Sequence, residues 1–433
     1  MPLRRLLRLS AVVSGGLRRS LTTAASHPRW DAMGATASAP PGAPSAGVYL
    51  YHPPRVSQLY VPEHLAYTGA VPDPDSDVTQ VFGGEVCAAS GDGLLLLVYS
   101  DFRFVAPVVA KQGAHRLRQT PSTPTVDPTH VPATTHFVFN PVTRQLSRLP
   151  YIACHPVVKF LYGRGMGLLT HADRGHGHGP PDRFAAANLL EGNLMLRFLS
   201  HKDMWEIVAV PPCQLPSARR LKINQEPLAF RGRLWWVDVI WGAVSADPFS
   251  DRPELSFVEL PRGSVLPAGA QEDQALGLGS MLPDADSILC WRKAPVRYRR
   301  VGVSEGRLRY VEVSREEPFL LSSFALDDEG SGWTLEHRVA LSKHLPEGKT
   351  PQIGLLDPLN ANVVYLMVDE QTIIVVDMDR KEVTGSYLSN VDVSYIPCVL
   401  PPWLGSTRIP SAGKKDPVTN KTLSDVLVRS KIL

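Results

Sequence analysis

The chain has 433 residues, 44% of them hydrophobic and 20% charged, with a formal net charge of +3. That composition fits a globular protein with material for one large core or several smaller ones, and excludes a disordered or fibrous chain. It gives no support for nucleic-acid binding. Five of the 45 basic residues (Arg4, Arg5, Arg8, Arg18 and Arg19) lie in the first nineteen positions, while the first acid is Asp31, and without them 40 basic residues face 42 acidic ones. Nucleic-acid binders carry a clustered basic surplus, and here only a small patch around Arg292–Arg300 offers one.

Met1–Pro28 is rich in Arg, Ser, Leu and Ala and has no acid, the composition of an organellar transit peptide. Leu3, Leu6, Leu7 and Leu9 can share one face beside the arginines, as a cationic amphipathic helix requires. The expected partner of this segment is the organellar import machinery and the expected address is mitochondrial, with plastid and cytosol or nucleus as alternatives. The apolar run Ala11–Val13 is too short for a secretory signal. No run reaches the ~18 residues of a membrane-spanning helix, so no membrane insertion is expected; the strongest apolar run, Gly93–Tyr99, is of strand length.

Residues 29–46 are rich in Ala, Pro, Gly and Ser and read as a disordered linker. From 47 to 404 short apolar runs alternate with Gly, Pro, Asn or Asp. These strand-like runs are Glu85–Ala89, Leu94–Tyr99, His136–Phe139, Trp205–Val210, Leu234–Ile240, Leu255–Leu260, Val301–Val303, Leu308–Val313, Phe319–Phe324, Thr334–Val339, Val363–Val368 and Thr372–Asp377. Asp182–Leu199 reads as a helix or, because Gly192 and Asn193 interrupt it, as two strands. Residues 106–132 and 268–286 read as insertions, and 405–433 as a polar tail.

Many short strands at regular spacing predict an all-β fold, an irregular β-propeller-like domain of antiparallel strands over 47–404. Phe137–Pro150, with a strand, an Asn-Pro turn and a second strand, is one repeat unit, and Asp357–Pro358–Leu359 with the strands after it is a looser copy. One blade cannot bury both its faces, so blades must pack face to face around an axis.

Several motifs invite chemical readings, and each has a plainer one. Gly302–Gly306 matches G-x-S-x-G, but a nucleophile elbow needs a strand-to-helix turn, and here both flanks are strand-like. A hairpin accounts for the glycines. His171, Asp173, His176 and His178 form the one metal-like cluster, interspersed with glycines that work against a rigid site. Gly163, Gly165 and Gly167 lack the spacing of a phosphate loop and read as a turn or bulge. Trp235 and Trp236 point to opposite faces of their strand, which favours packing on both sides over a ligand groove. The five cysteines are scattered, unlike a disulfide framework or a zinc site. The sequence therefore names no catalytic, cofactor-binding or metal-ligating residue, and no cofactor.

Arg231–Gly232–Arg233, the Trp-rich run Leu234–Ile240, Asp247–Pro248–Phe249 and Leu255–Leu260 form one block. With Gly306–Val311 and Trp333–His337 it resembles domain of unknown function 1618, a family of uncharacterised grass proteins. The 137–150 unit is similar to plant F-box-associated and kelch-like propellers, although no F-box-like helical segment precedes it. The resemblance implies a globular plant domain without an established activity. The expected function is a non-catalytic protein-interaction scaffold with an unknown protein partner. The alternatives are a propeller-type hydrolase or lactonase-like enzyme, and a nuclear or cytosolic substrate adaptor.

Overall fold

The computed structural model describes residues 29–36, 39–66, 78–105, 125–126, 134–152, 165–171, 180–190, 193–213, 219, 221–267, 295–345, 348–369, 372–388 and 395–410. The transit-like segment, Cys154 and Cys290, most of the two insertions and residues 411–433 lie outside them.

Six small sheets form a six-blade β-propeller. Blade 1 holds β1 (Arg29–Thr36), β2 (Gly47–Tyr49), β3 (Val56–Tyr60) and β25 (Ile396–Leu400). Blade 2 holds β4 (Val78–Ala89), β5 (Leu95–Val105), β7 (Thr134–Phe139) and β8 (Leu146–Arg148), with β6 (Thr125–Val126) paired to β5. Blade 3 holds β9 (Gly167–His171), β10 (Arg183–Leu190), β11 (Leu194–Leu199) and β12 (Met204–Ala209). Blade 4 holds β13 (Leu228–Phe230), β14 (Arg233–Asp238), β15 (Gly242–Ala246) and β16 (Ser256–Glu259). Blade 5 holds β17 (Arg299–Ser304), β18 (Arg307–Val313), β19 (Leu320–Leu326) and β20 (Trp333–Ala340). Blade 6 holds β21 (Gln352–Leu356), β22 (Val363–Met367), β23 (Thr372–Asp377) and β24 (Glu382–Leu388). The α-helices among the described residues are single turns, Glu63–Ala66 and Pro295–Tyr298.

The strands β4, β9, β13, β17, β21 and β25 touch one another in a closed ring around the axis. Each sheet therefore buries both faces, which explains why β15 is buried at every position and reads as a continuous apolar run. Alternation sends neighbouring side chains to different cores. Trp235 joins the blade 4–5 core with Val301 and Tyr310. Trp236 joins the blade 3–4 core with Leu169 and Met195, and its Nε1 donates to Gly165 O at 2.9 Å. Both tryptophans are packing residues, as the alternation predicts.

The expected linker is corrected by β1. Residues 29–36 pair antiparallel with β25, from Arg29 opposite Leu400 to Met33 opposite Ile396, and parallel with β3. The partner strand comes from the far end of the chain, so nothing local marks this stretch as a strand. The domain thus includes residues 29–36 and does not start at 47. It also runs past 404, because Ile409 is buried in the blade 1–3 core and its N–H donates to Gln145 Oε1 at 2.8 Å.

Asp182–Leu199 is resolved as two strands, β10 and β11, paired across the break at Asn193. The apolar run Leu234–Ile240 ends earlier than its hydrophobicity suggests. Asp238 Oδ1 accepts from Ile240 N at 3.1 Å, and Trp241 N donates to Asp238 O at 3.0 Å. That turn leads into β15, a strand the sequence reading passed over.

The same turn chemistry recurs between the third and fourth strands of four blades. Asn140 Oδ1 accepts from Val142 N and Thr143 N, and Asp247 Oδ1 accepts from Phe249 N. Asp327 Oδ1 accepts from Ser331 N, and Asp377 Oδ1 accepts from Asp379 N and Arg380 N. A short side-chain acceptor replaces a backbone carbonyl in such turns. Asp357 makes this turn too, with Leu359 N and Asn360 N, but between the first and second strands of its blade. The looser copy seen in sequence is therefore the same turn at a different blade position.

Candidate functional site

The junction of blades 6 and 1 exists because β1 and β3 stand beside β21–β24 once the ring is closed. Alternation turns Trp30, Ala32 and Val56 toward blade 6 and Met33, Val48 and Leu59 toward blade 2. On blade 6 the facing rows are Leu355–Tyr365–Val375–Gly385 and Met367–Ile373–Tyr387. The base of the seam is closed by Trp30, Val56, Leu355, Ile373 and Tyr395, with Tyr365 and Met367 against them. Trp30 meets Tyr365 edge-on at 5.6 Å. Tyr365 Oη donates to Asp357 Oδ2 at 3.3 Å, and Tyr395 Oη donates to Met367 Sδ at 3.1 Å. Burial and the Asp357 carboxylate push the Tyr365 phenol well above its ordinary value.

Further out the walls are tyrosines whose rings reach solvent. Tyr49 is 45% exposed and Tyr387 46% exposed. Tyr49 lies 5.7 Å from the half-buried Tyr60. Two glycines seat these rings. A Cβ at Gly47 would stand 2.3 Å from the Tyr60 ring, and one at Gly385 would stand 2.7 Å from the Tyr387 ring. Aromatic rings over sheet glycines shield the bare backbone on one side. Five tyrosines (Tyr49, Tyr60, Tyr365, Tyr387 and Tyr395) stand on the sheet faces and loop that meet at this one junction. The sequence reading missed them, because they come from opposite ends of the chain.

The axis carries a different arrangement. Blades 2 to 6 each run from their inner to their outer strand before the next begins, and blade 1 takes its inner strand, β25, last. Where these inner strands begin, Arg300 of β17 pairs with Glu226, just before β13, and its Nη2 donates to Tyr395 O at 3.3 Å, just before β25. Gln225 locks the same level, giving Nε2 to Val301 O at 2.7 Å and taking Val301 N at 2.9 Å. Burial pushes the Glu226 carboxyl up, against the opposing pull of Arg300. Arg299 is also committed, to Ser264 O and to Glu312. Arg299 and Arg300 of the candidate basic patch thus hold blades together.

The other buried carboxylates are spread over separate blades, each with its own partner. Asp31 accepts from Arg29, Asp92 from Thr170 Oγ1, and Asp238 from Lys222 N, Asn224 Nδ2 and Ile240 N. Burial raises all three above the usual carboxylate range. No group of three His, Cys, Asp or Glu side chains able to hold a metal occurs among the described residues. Of the metal-like cluster only His171 is described, and Asp173, His176 and His178 lie outside. Its Nδ1 is 3.3 Å from Arg183 Nη2. Gly163 also lies outside, while Gly165 and Gly167 lead into β9.

Ser304 of the G-x-S-x-G match closes β17. Glu305 and Gly306, at φ +49° and +68°, make the tight hairpin turn to β18. Its hydroxyl is buried and donates to Asp357 O, so it fastens blade 5 to blade 6.

No curated protein matches the chain. Among solved structures it is similar to apo AztD from Citrobacter koseri, at 10% identity over 75% of this chain and 95% of that one, with a TM-score of 0.31. A Pseudomonas aeruginosa periplasmic gluconolactonase, PpgL, is similar at 11% identity over 73% and 88%, with a TM-score of 0.30. A putative 6-phosphogluconolactonase from Bacteroides fragilis gives 11% identity over 87% and 99%, with a TM-score of 0.30. Likenesses at that level carry neither substrate nor activity to this chain. Residues 236–383, from Trp236 in blade 4 to Val383 in blade 6, match the family described as Protein of unknown function (DUF1618), the family that the Trp-rich block resembles.

Proposed function

We propose that the protein is a non-catalytic recognition scaffold, and that its binding surface is the tyrosine-lined seam between blades 6 and 1. The supporting observation is that Tyr49 and Tyr387, on the neighbouring blades 1 and 6, are each half-exposed. Tyrosine offers a large apolar face with a polar tip at little conformational cost, which is why it is enriched where proteins bind. The blades around it are rigid, so the seam is formed before a partner arrives. The Arg-rich segment 1–28 is proposed to deliver this scaffold to mitochondria.

A photo-reactive residue placed at Tyr387 tests the surface, with the same residue at Leu335, an exposed position on blade 5, as the comparison. Discrete protein adducts from position 387, weakened by Tyr49→Ala and missing from position 335, are expected. Equal adducts from both positions, or none, would sink the reading. Localisation of the full chain against a form lacking residues 1–28 tests the address.

A further inference from the structure

We infer that Arg300 is a strap across the ring, a conformational device that ties blade 1, where the chain closes, to blades 4 and 5 without passing through blade 6. The inner strands touch in the order β13, β17, β21 and β25, so blade 6 separates blade 5 from blade 1. Arg300 starts on β17 and reaches both Glu226, before β13, and the Tyr395 carbonyl, before β25. Its side chain therefore passes the entry of β21 and joins three blades at once. Its neighbours do less. Gln225 joins only blades 4 and 5, through Val301, and Ser304 joins only blades 5 and 6, through Asp357 O.

The strap lands where closure is decided. Tyr395 leads into β25, the strand that pairs with β1 to complete blade 1. Its ring is buried with Trp30, Val56, Leu355 and Ile373 between blades 6 and 1, and its hydroxyl donates to Met367 Sδ. Blade 5 thus holds the Tyr395 backbone while blade 6 holds its side chain, and blade 1 cannot swing away from blade 6 without breaking both. Arginine suits the task because its guanidinium is always charged and carries several N–H donors on a rigid plane. Arg300 and Glu226 are mostly buried, and hydrogen bonds from an ionised donor are stronger than neutral ones. The strap acts on the closure of the ring and is independent of what the seam binds.

Hydrogen exchange of the full chain tests this, because local openings expose amides in cooperative units. Arg300→Met is expected to speed exchange at Ile396, Cys398 and Val399 by about tenfold or more relative to Leu168 and Leu169 of β9, the effect of losing a hydrogen bond to a charged group. Gln225→Ala should speed exchange at Val301, whose amide it frees, and leave Ile396, Cys398 and Val399 as in the parent. Should Arg300→Met not fold, Arg300→Lys gives the same comparison, since its shorter stem ends in one ammonium without the guanidinium plane. Acceleration in β25 no greater than in β9 overturns the proposal. So does equal acceleration of β25 in the Arg300 and Gln225 variants.

Discussion

Asp31 on the first strand and Cys398 on the last stand directly opposite one another in blade 1. Both are fully buried, and Arg29 clamps the carboxylate with hydrogen bonds of 3.1 and 3.2 Å. The ring is therefore closed by the two ends of the chain, and the seam between blades 6 and 1 depends on that closure.

Removal of residues 1–28 should leave thermal unfolding unchanged, because β1 begins at Arg29. Removal of residues 1–36 takes Trp30, Ala32 and Met33 out of two cores. It should cost about 5 kcal/mol or more, on the scale of deleting a large core side chain together with its neighbours. Denaturant unfolding of the two truncations checks this, and equal stabilities would contradict it.

His136 sits buried at the blade 2–3 junction, 6.2 Å from the Trp205 ring, and its Nε2 has no hydrogen-bond partner. Burial lowers its pKa from 6.5 to about 4. The unfolded chain then binds the proton more tightly between pH 6.5 and about 4. The neutral ring's contribution is present above pH 6.5 and is lost as pH falls toward 4, to a total of about 3 kcal/mol. His136→Phe should unfold with less acid sensitivity than the parent across that window. Parallel slopes of stability against pH would rule this out.

Arg300 and Glu226 form a mostly buried pair across blades 4 and 5, with the Tyr395 carbonyl completing it. Breaking such a pair from one side leaves an uncompensated charge and costs about 3–5 kcal/mol. Arg300→Met and Glu226→Gln should each destabilise on that scale, and the double variant by clearly less than their sum. A double-mutant cycle measures the difference, and simple additivity would show that the two do not act as a pair.

Gly47→Ala places a methyl group into the Tyr60 ring, and Gly385→Ala does the same to Tyr387. The rings lie at the rim and can swing away, so the stability cost should stay near the low end, about 1 kcal/mol. Partner binding should fall much more, because the rings no longer stand where the seam needs them. Comparison of unfolding midpoints with adduct yield at position 387 separates the two effects. Loss of both in proportion would point to general destabilisation instead.

Most strands were legible in the sequence because their apolar runs are local. Val363–Met367 and Thr372–Asp377 stand where the alternation of small apolar runs and turn residues puts them. The hairpin at Glu305–Gly306 was legible for the same reason, since its turn chemistry is carried by adjacent residues. The blade count was not, because the recurring turn uses Asn140, Asp247, Asp327 and Asp377 in four different local sequences. The strand at Arg29–Thr36 was hidden by its Ala- and Gly-containing composition and by a partner at the far end of the chain. The tyrosine seam was hidden likewise. The strands that carry Tyr49 and Tyr387 fall on neighbouring blades only when the last strand meets the first, and no window of sequence contains both.

The most direct measurement is hydrogen exchange at the amides of residues 30–33 in the full chain. The account predicts protection equal to that of inner strands such as β21, because β1 lies between β25 and β3. Exchange within seconds, as in an unpaired segment, would contradict the closure of blade 1 and remove the seam built on it.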